Sequence, residues 1–276
     1  MYPIIKNKCR PDVLNSCFAF LILAAVLFPQ AGCVTRERGC LDIAAANFDL
    51  DADRACDDCC VYPVATLTLT QHYDSLNFNV NDTLFDIHGM PYRIRDMKYI
   101  LSDWSWTDDQ DRVFTVDSAD FICATGNVRV PSDIILVDTR QFIYNIGSFR
   151  LFPKIDSLYF TFGFPAALDC VDPGHDSTAV VLSEDSPVYD SVSMSRAAVR
   201  MIIQRDLMTE NVDTVFVHTR FDMGIPYDFQ FVSGFDPKIR LTVEYSEWFS
   251  EVDVNDISTF RNSVRDHAAL SFSRTP

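Results

Sequence analysis

The side chains with the clearest chemical potential in this 276-residue chain are cysteines and aspartates crowded between residues 40 and 60. Cys56 and Cys59 form a C-x-x-C, the spacing of redox dithiols and of half a zinc site. The intervening Asp57 and Asp58 disfavour a thiolate, however, and no βαβ pattern surrounds the pair, so a structural disulfide is expected there. Asp49, Asp51 and Asp53 have the first three spacings of a calcium loop. Arg54 stands where such a loop needs its turn glycine and Cys60 where it needs a bidentate glutamate, which excludes an EF-hand and leaves only weak, incidental calcium binding. The linear signatures of hydrolases, zincins, P-loop proteins and dinucleotide binders are absent from the sequence, so no specific enzyme is expected.

An address precedes these residues. Lys6, Lys8 and Arg10 lead into an apolar run from Cys17 to Phe28, too short to span a bilayer as a mature helix and suited to a signal peptide. The run ends in Ala31-Gly32-Cys33, which resembles the lipobox of bacterial lipoproteins, although Gln30 departs from its strict form. The expected organisation is a signal peptide over 1–32, a lipidated Cys33 with an anchor linker over 33–38, an acidic Cys-rich segment over 39–63, and one domain over 64–276. The other reading is an ordinary cleaved signal with Cys33 paired elsewhere. Removing 1–32 takes away three basic residues and one acidic residue and leaves 20 against 38, a charge of −18. Nucleic acid and anionic lipid surfaces are therefore excluded as electrostatic partners.

Apart from the lipidated Cys33, six cysteines remain in the mature chain, and an even number in an exported protein reads as disulfides. The expected pairs are Cys40–Cys60, Cys56–Cys59 and Cys123–Cys170, the alternative being that Cys56 or Cys59 pairs with Cys40. The 39–63 segment has almost no apolar face and needs such crosslinks to fold. It resembles a short acidic, cysteine-bounded repeat common near the start of exported Bacteroidota proteins.

From Pro63 onward, short β-rich runs separated by turns predict an all-β sandwich with one short helix near the C-terminus. Leu67 and Leu69 alternate with Thr66, Thr68 and Thr70, and Leu158, Phe160 and Phe162 with Tyr159 and Thr161. Further strands are expected over 76–80, 142–151, 199–203, 214–219 and 239–245, with Arg200 and Gln204 facing away from Val199, Met201 and Ile203. Asp256 is the expected cap of a helix that buries Ile257, Phe260 and Val264. Trp104 and Trp106 are expected to cover the sandwich.

Residues 89–104 read GMPYRIRDMKYILSDW, similar to the G-x-x-Y-x-I-x-x-L-K-Y-Y-I-S-N-I signature of the MbnP-like family. Ile134 to Asp138, Ile155 to Pro165, Val217-His218-Thr219, and Glu247-Trp248-Phe249 with Val252 to Val254 follow in the family's order. The resemblance covers roughly residues 66–273 and implies a β-sandwich, a Bacteroidota-type lipoprotein and copper as the ligand. It also implies a tryptophan-bearing M-x-W-x-W-x-x-G-Y stretch where Val188 to Ala198 has no tryptophan, so part of the family's pocket is missing.

His218 is then the first candidate copper ligand, with His72, Met194 or Met223 as companions, because imidazole and thioether suit copper. Each residue taken alone reads as packing or solvated surface, as do His88 and His175, and His267 has no evident partner. The expected function is a lipid-anchored cell-envelope binding protein, at the outer membrane or cell surface, for copper or a small copper chelate. The alternative is a structural or adhesive surface lipoprotein that binds protein or glycan without metal.

Overall fold

The computed structural model describes residues 36–275 except 57, 116–117, 124–125, 132, 150–153, 172–179 and 233. The leader, Cys33 and His175 lie outside the described residues. Two sheets pack face to face. The larger has eight strands: β3 (Thr83–Phe85), β4 (Pro91–Thr107), β5 (Val113–Thr115), β6 (Ile135–Asp138), β8 (Lys154–Phe162), β9 (Val199–Gln204), β10 (Asp213–Val217) and β11 (Phe221–Gln230). The smaller has five: β1 (Val64–Tyr73), β2 (Leu76–Asn77), β7 (Ile143–Ser148), β12 (Lys238–Glu244) and β13 (Phe272–Arg274). The order across the larger is β10-β9-β4-β8-β11 with β3, β5 and β6 also on β4, and across the smaller β7-β1-β12-β13 with β2 on β1. A β-sandwich is thus the fold.

The period-two pattern sets which face is buried. Ala65, Leu67 and Leu69 of β1 point inward while the threonines between them are half-exposed. Trp104 stacks on Phe160 at 4.8 Å and Trp106 meets Phe149 edge-on at 3.7 Å, so both indoles are core. Two positions break the expected alternation. Thr161 is buried and donates to Asp222 Oδ1 at 2.7 Å. Gln204 is buried as well, because a register shift between Ile202 and Ile203 turns it inward, where its amide donates to Thr209 O. The expected strand over 76–80 is only the two residues of β2. The C-terminal helix α1 (Ile257–His267) begins as the capping logic predicts, with the Asp256 carboxylate accepting from Ser258 N–H at 2.9 Å. It buries Phe260 and Val264 and donates from Arg261 Nε to Phe216 O of β10 at 3.0 Å.

Between the sheets a buried hydrogen-bonded line joins their centres. Tyr99 and Tyr245 share a 3.0 Å hydroxyl contact, Tyr245 Oη donates to Gln71 Oε1 at 3.1 Å, and Gln71 Nε2 donates to Gln141 O at 2.8 Å. Each polar tip finds its partner inside the core, where an unpaired one would cost several-fold more than the bond contributes.

In the acidic segment, disulfides join Cys40 to Cys60 and Cys56 to Cys59, with Cα separations of 5.0 and 5.7 Å, and a third joins Cys123 to Cys170 at 5.3 Å. Asn47 reinforces the first bridge by donating to Cys59 O and accepting from Val61 N–H, at 2.7 and 2.8 Å. Tyr62 Oη donates to the Asp42 carboxylate at 2.9 Å. Hydrogen bonds and crosslinks here take the place of an apolar core.

Strand β4 is longer than any neighbour and changes partner along its length. It pairs with β9 from Arg93 to Tyr99 and with β8 from Leu101 to Thr107. The handover falls at Ile100, whose N–H donates to Ala198 O and whose carbonyl accepts from Gly163 N–H, both at 2.9 Å. Gly163 sits at φ +100° with Thr219 O 2.7 Å from where a Cβ would lie, so only glycine fits at this seam.

Beyond the seam, β4 kinks at Asp103, which has a φ of +51°. The buried Asp133 carboxylate accepts the N–H groups of Asp103 and Trp104 and pins the kink. Burial outweighs those hydrogen bonds and pushes the Asp133 carboxyl up to about 7, with nearby Asp103 adding to the rise. The folded chain therefore holds this proton where the unfolded chain has lost it. The stabilisation is complete below the ordinary carboxylate range and disappears as pH rises through about 7. Asp133→Asn, which removes the ionisation and keeps one acceptor, is expected to flatten the fall in urea midpoint between about pH 4 and 7. An unchanged slope would show that Asp133 does not carry it.

Candidate functional site

His218 lies just past β10, in the three-residue link that crosses the seam to β11. A two-stranded hairpin, Tyr189–Asp190 with Ser195–Arg196, stands over it. His218 Nε2 is 3.2 Å from Asp190 Oδ2, and Nδ1 is 3.3 Å from Arg196 O, with the Ser193 and Ser195 hydroxyls 3.5 Å from Nε2 and Nδ1 respectively. Burial works against the Asp190 carboxylate, yet hydrogen bonds from Ser193, Val192 N–H and His218 hold its carboxyl below the usual range. Arg196 anchors the hairpin from beneath, donating to Leu182 O at 3.0 Å, Leu168 O at 3.1 Å and Val171 O. Those carbonyls belong to a second, smaller core of Ile100, Cys123, Phe164, Leu168, Val171, Leu182 and Val188, stapled by Cys123–Cys170. A shallow cleft of about 290 Å³ opens beside His218, between Asp169, Arg196 and Arg220.

The four candidate copper ligands do not converge. Met194 is in the turn of the hairpin that stands over His218, at φ +54°, with its sulfur 3.8 Å from Tyr189 Oη. His72 is on β1 of the opposite sheet, in register with Glu244. Met223 is buried on the inner face of β11 in register with Phe160. Alternation explains the last, since position 223 falls on the core face of its strand. Among the described residues no cluster of three or more His, Cys, Asp or Glu side chains is placed to hold a metal. Both His218 nitrogens already face protein acceptors, so a metal would have to displace one of them. The residues present do not fit a resident copper ion.

The other two described histidines have structural partners. His88 Nε2 is 3.7 Å from Asp253 Oδ2, and His267 Nδ1 is 3.1 Å from Ser263 O. Asp49 Oδ1 accepts from Asp51 N–H at 3.0 Å, a local turn in place of a calcium loop.

A second surface escaped the reading of the sequence. Tyr227, Phe229 and Phe231 continue the inward face of β11, with ring centroids 6.1 and 4.7 Å apart. With Val232, Phe235, Lys238, Arg240 and Arg274 they line an open groove of about 600 Å³. The signal was present as apolar residues at 223, 225, 227, 229 and 231. Pro226, Gly224 and the charges between them obscured it, as edge strands often do.

No family profile and no curated protein matches the sequence. Among solved structures, the chain is similar to MbnP from Methylosinus trichosporium, with 11% identity, a TM-score of 0.43, and coverage of 69% of this chain and 78% of that one. Likeness at this level does not say what either surface of the present chain binds.

His218→Ala is expected to lower thermal stability slightly, by about 1 kcal/mol or less for a partly exposed pair, and to leave metal content unchanged. One copper per chain by native mass spectrometry, lost in His218→Ala, would overturn this assignment.

Proposed function

We propose that the chain is a lipid-anchored binding protein of the cell envelope. In this reading an acyl chain on Cys33 holds it to the membrane, the disulfide-held 39–63 segment acts as a spacer, and the β-sandwich is the recognition domain. The observation that carries it is the groove at the sandwich edge. Val232 and Phe235 are each 68% exposed there, and apolar side chains contiguous with one another on a protein of this charge mark a binding surface. The three disulfides suit an oxidising compartment outside the cytoplasm. The anchor is assigned to lipid on the Ala31-Gly32-Cys33 sequence; no helix among the described residues is long and apolar enough to cross a membrane. Catalysis and resident copper are not part of this reading, since the histidine and thioether donors stand apart.

Mass spectrometry of membrane-extracted protein is expected to find the peptide beginning at Cys33 diacylated or triacylated, and Cys33→Ser to abolish metabolic labelling by an acyl probe. An unmodified Cys33 in that fraction would remove the anchor.

A further inference from the structure

We infer that the groove between β11 and the β12–β13 edge binds a small organic anion whose carboxylate or sulfonate is attached to an aromatic or acyl body. This rests on the reading of the chain as a binding protein and assigns its ligand class. One wall is apolar. Tyr227 forms the buried floor, Phe229 is 38% exposed, and Phe235 and Val232 extend the surface outward.

The facing wall is cationic. Lys238 and Arg240 of β12 and Arg274 of β13 border the groove, Arg274 in register with Leu241 on the core side of that edge and Lys238 and Arg240 in register with Thr66 and Thr68 on its outer side, and among the described residues none of the three forms an ion pair. The Arg274 guanidinium lies over the Tyr227 ring at 5.2 Å and the Phe229 ring at 5.9 Å, steadied by donation to Asp228 O at 3.1 Å. Stacking of this kind presents the edge of the guanidinium fork to the groove. Asp236 is the one acid in the lining, and its carboxylate accepts from Val64 N–H at 2.9 Å. Three cations without carboxylate partners border one groove in a chain with a formal charge of −16. They are what a ligand anion would complete.

Size and net charge narrow the class. The volume falls in the ordinary range for small-molecule sites, roughly 300–1,000 Å³. A polyanion such as nucleic acid or an acidic glycan would extend beyond the three cations onto a strongly acidic surface and be repelled, whereas a small anion feels chiefly the charges within about 8–10 Å. The carboxylate would pair with the Arg274 fork and Arg240, and the body would lie on Phe229 and Phe235.

The test uses the lipidated full chain in nanodiscs, with empty nanodiscs as the blank, and calorimetric titration with 2-naphthoate, 2-naphthalenemethanol and 2-naphthylmethylammonium. Naphthoate is expected to bind about tenfold or more tighter than the alcohol, and the ammonium most weakly. Arg274→Ala is expected to erase that preference, Arg274→Lys to retain part of it, and Phe229→Ala to weaken all three probes together. Arg240→Ala, at an exposed side chain, serves as a second variant if Arg274→Ala does not fold. Equal affinity for the alcohol and the acid, or an acid affinity indifferent to Arg274 and Arg240, would overturn the inference. If polygalacturonate or an acidic peptide bound with the same arginine dependence while naphthoate did not, the small-ligand class would fall and the groove would stand as a recognition surface. If no probe responded to Arg274, Arg240 or Phe229, the groove and the function proposed from it would both fall.

Discussion

The sandwich depends on the continuity of β4. Its 17 residues supply one unbroken ladder on which two shorter pairs of strands, β9–β10 and β8–β11, are hung end to end. Ile100 joins them by bonding to Ala198 on one side of the handover and to Gly163 on the other. Because β4 carries Tyr92, Tyr99, Trp104 and Trp106 on its core face, the same strand also organises the packing against the smaller sheet. A break at Ile100 would split both the ladder and the core behind it.

A ladder assembled from two halves leaves a seam on its far side, and the chain must cross it. The link carrying His218 does so, and the hairpin of Tyr189 to Arg196 covers it with a network of carboxylate, hydroxyl and imidazole. That origin explains why a histidine on a matched strand looked like a ligand. The backbone at the seam is satisfied by Ile100, Ala198, Gly163 and Val217, and hydrogen bonding to Asp190 and Arg196 O is sufficient reason for His218 to be where it is.

The groove has a different cause. Past Tyr227 the face of β11 patterned for burial is only partly covered: Phe231 is buried, whereas Phe229 is 38% exposed beside the Arg274 guanidinium. Cations on β12 and β13 then border the exposed rings. Apolar alternation and unpaired charge arise from separate strands, and the combination exists only where the two edges meet.

Much of this was legible in the residues alone. The period-two runs of β1, β8 and β9 declare their buried faces, Asp256 announces the start of α1, and the even cysteine count indicates that the six pair, though not which with which, because each of these depends on contacts close in sequence or on pairing arithmetic. What the sequence could not determine is which face remains uncovered and which donors meet. His72, Met194, Met223 and His218 are chemically suitable for one metal, but strand order sends them to opposite sheets, a surface turn and the core. The groove was hidden for the same reason: Tyr227, Phe229 and Phe231 read as ordinary core, and only the tertiary structure decides that Tyr227 and Phe231 are buried while Phe229 stays partly exposed beside Arg274.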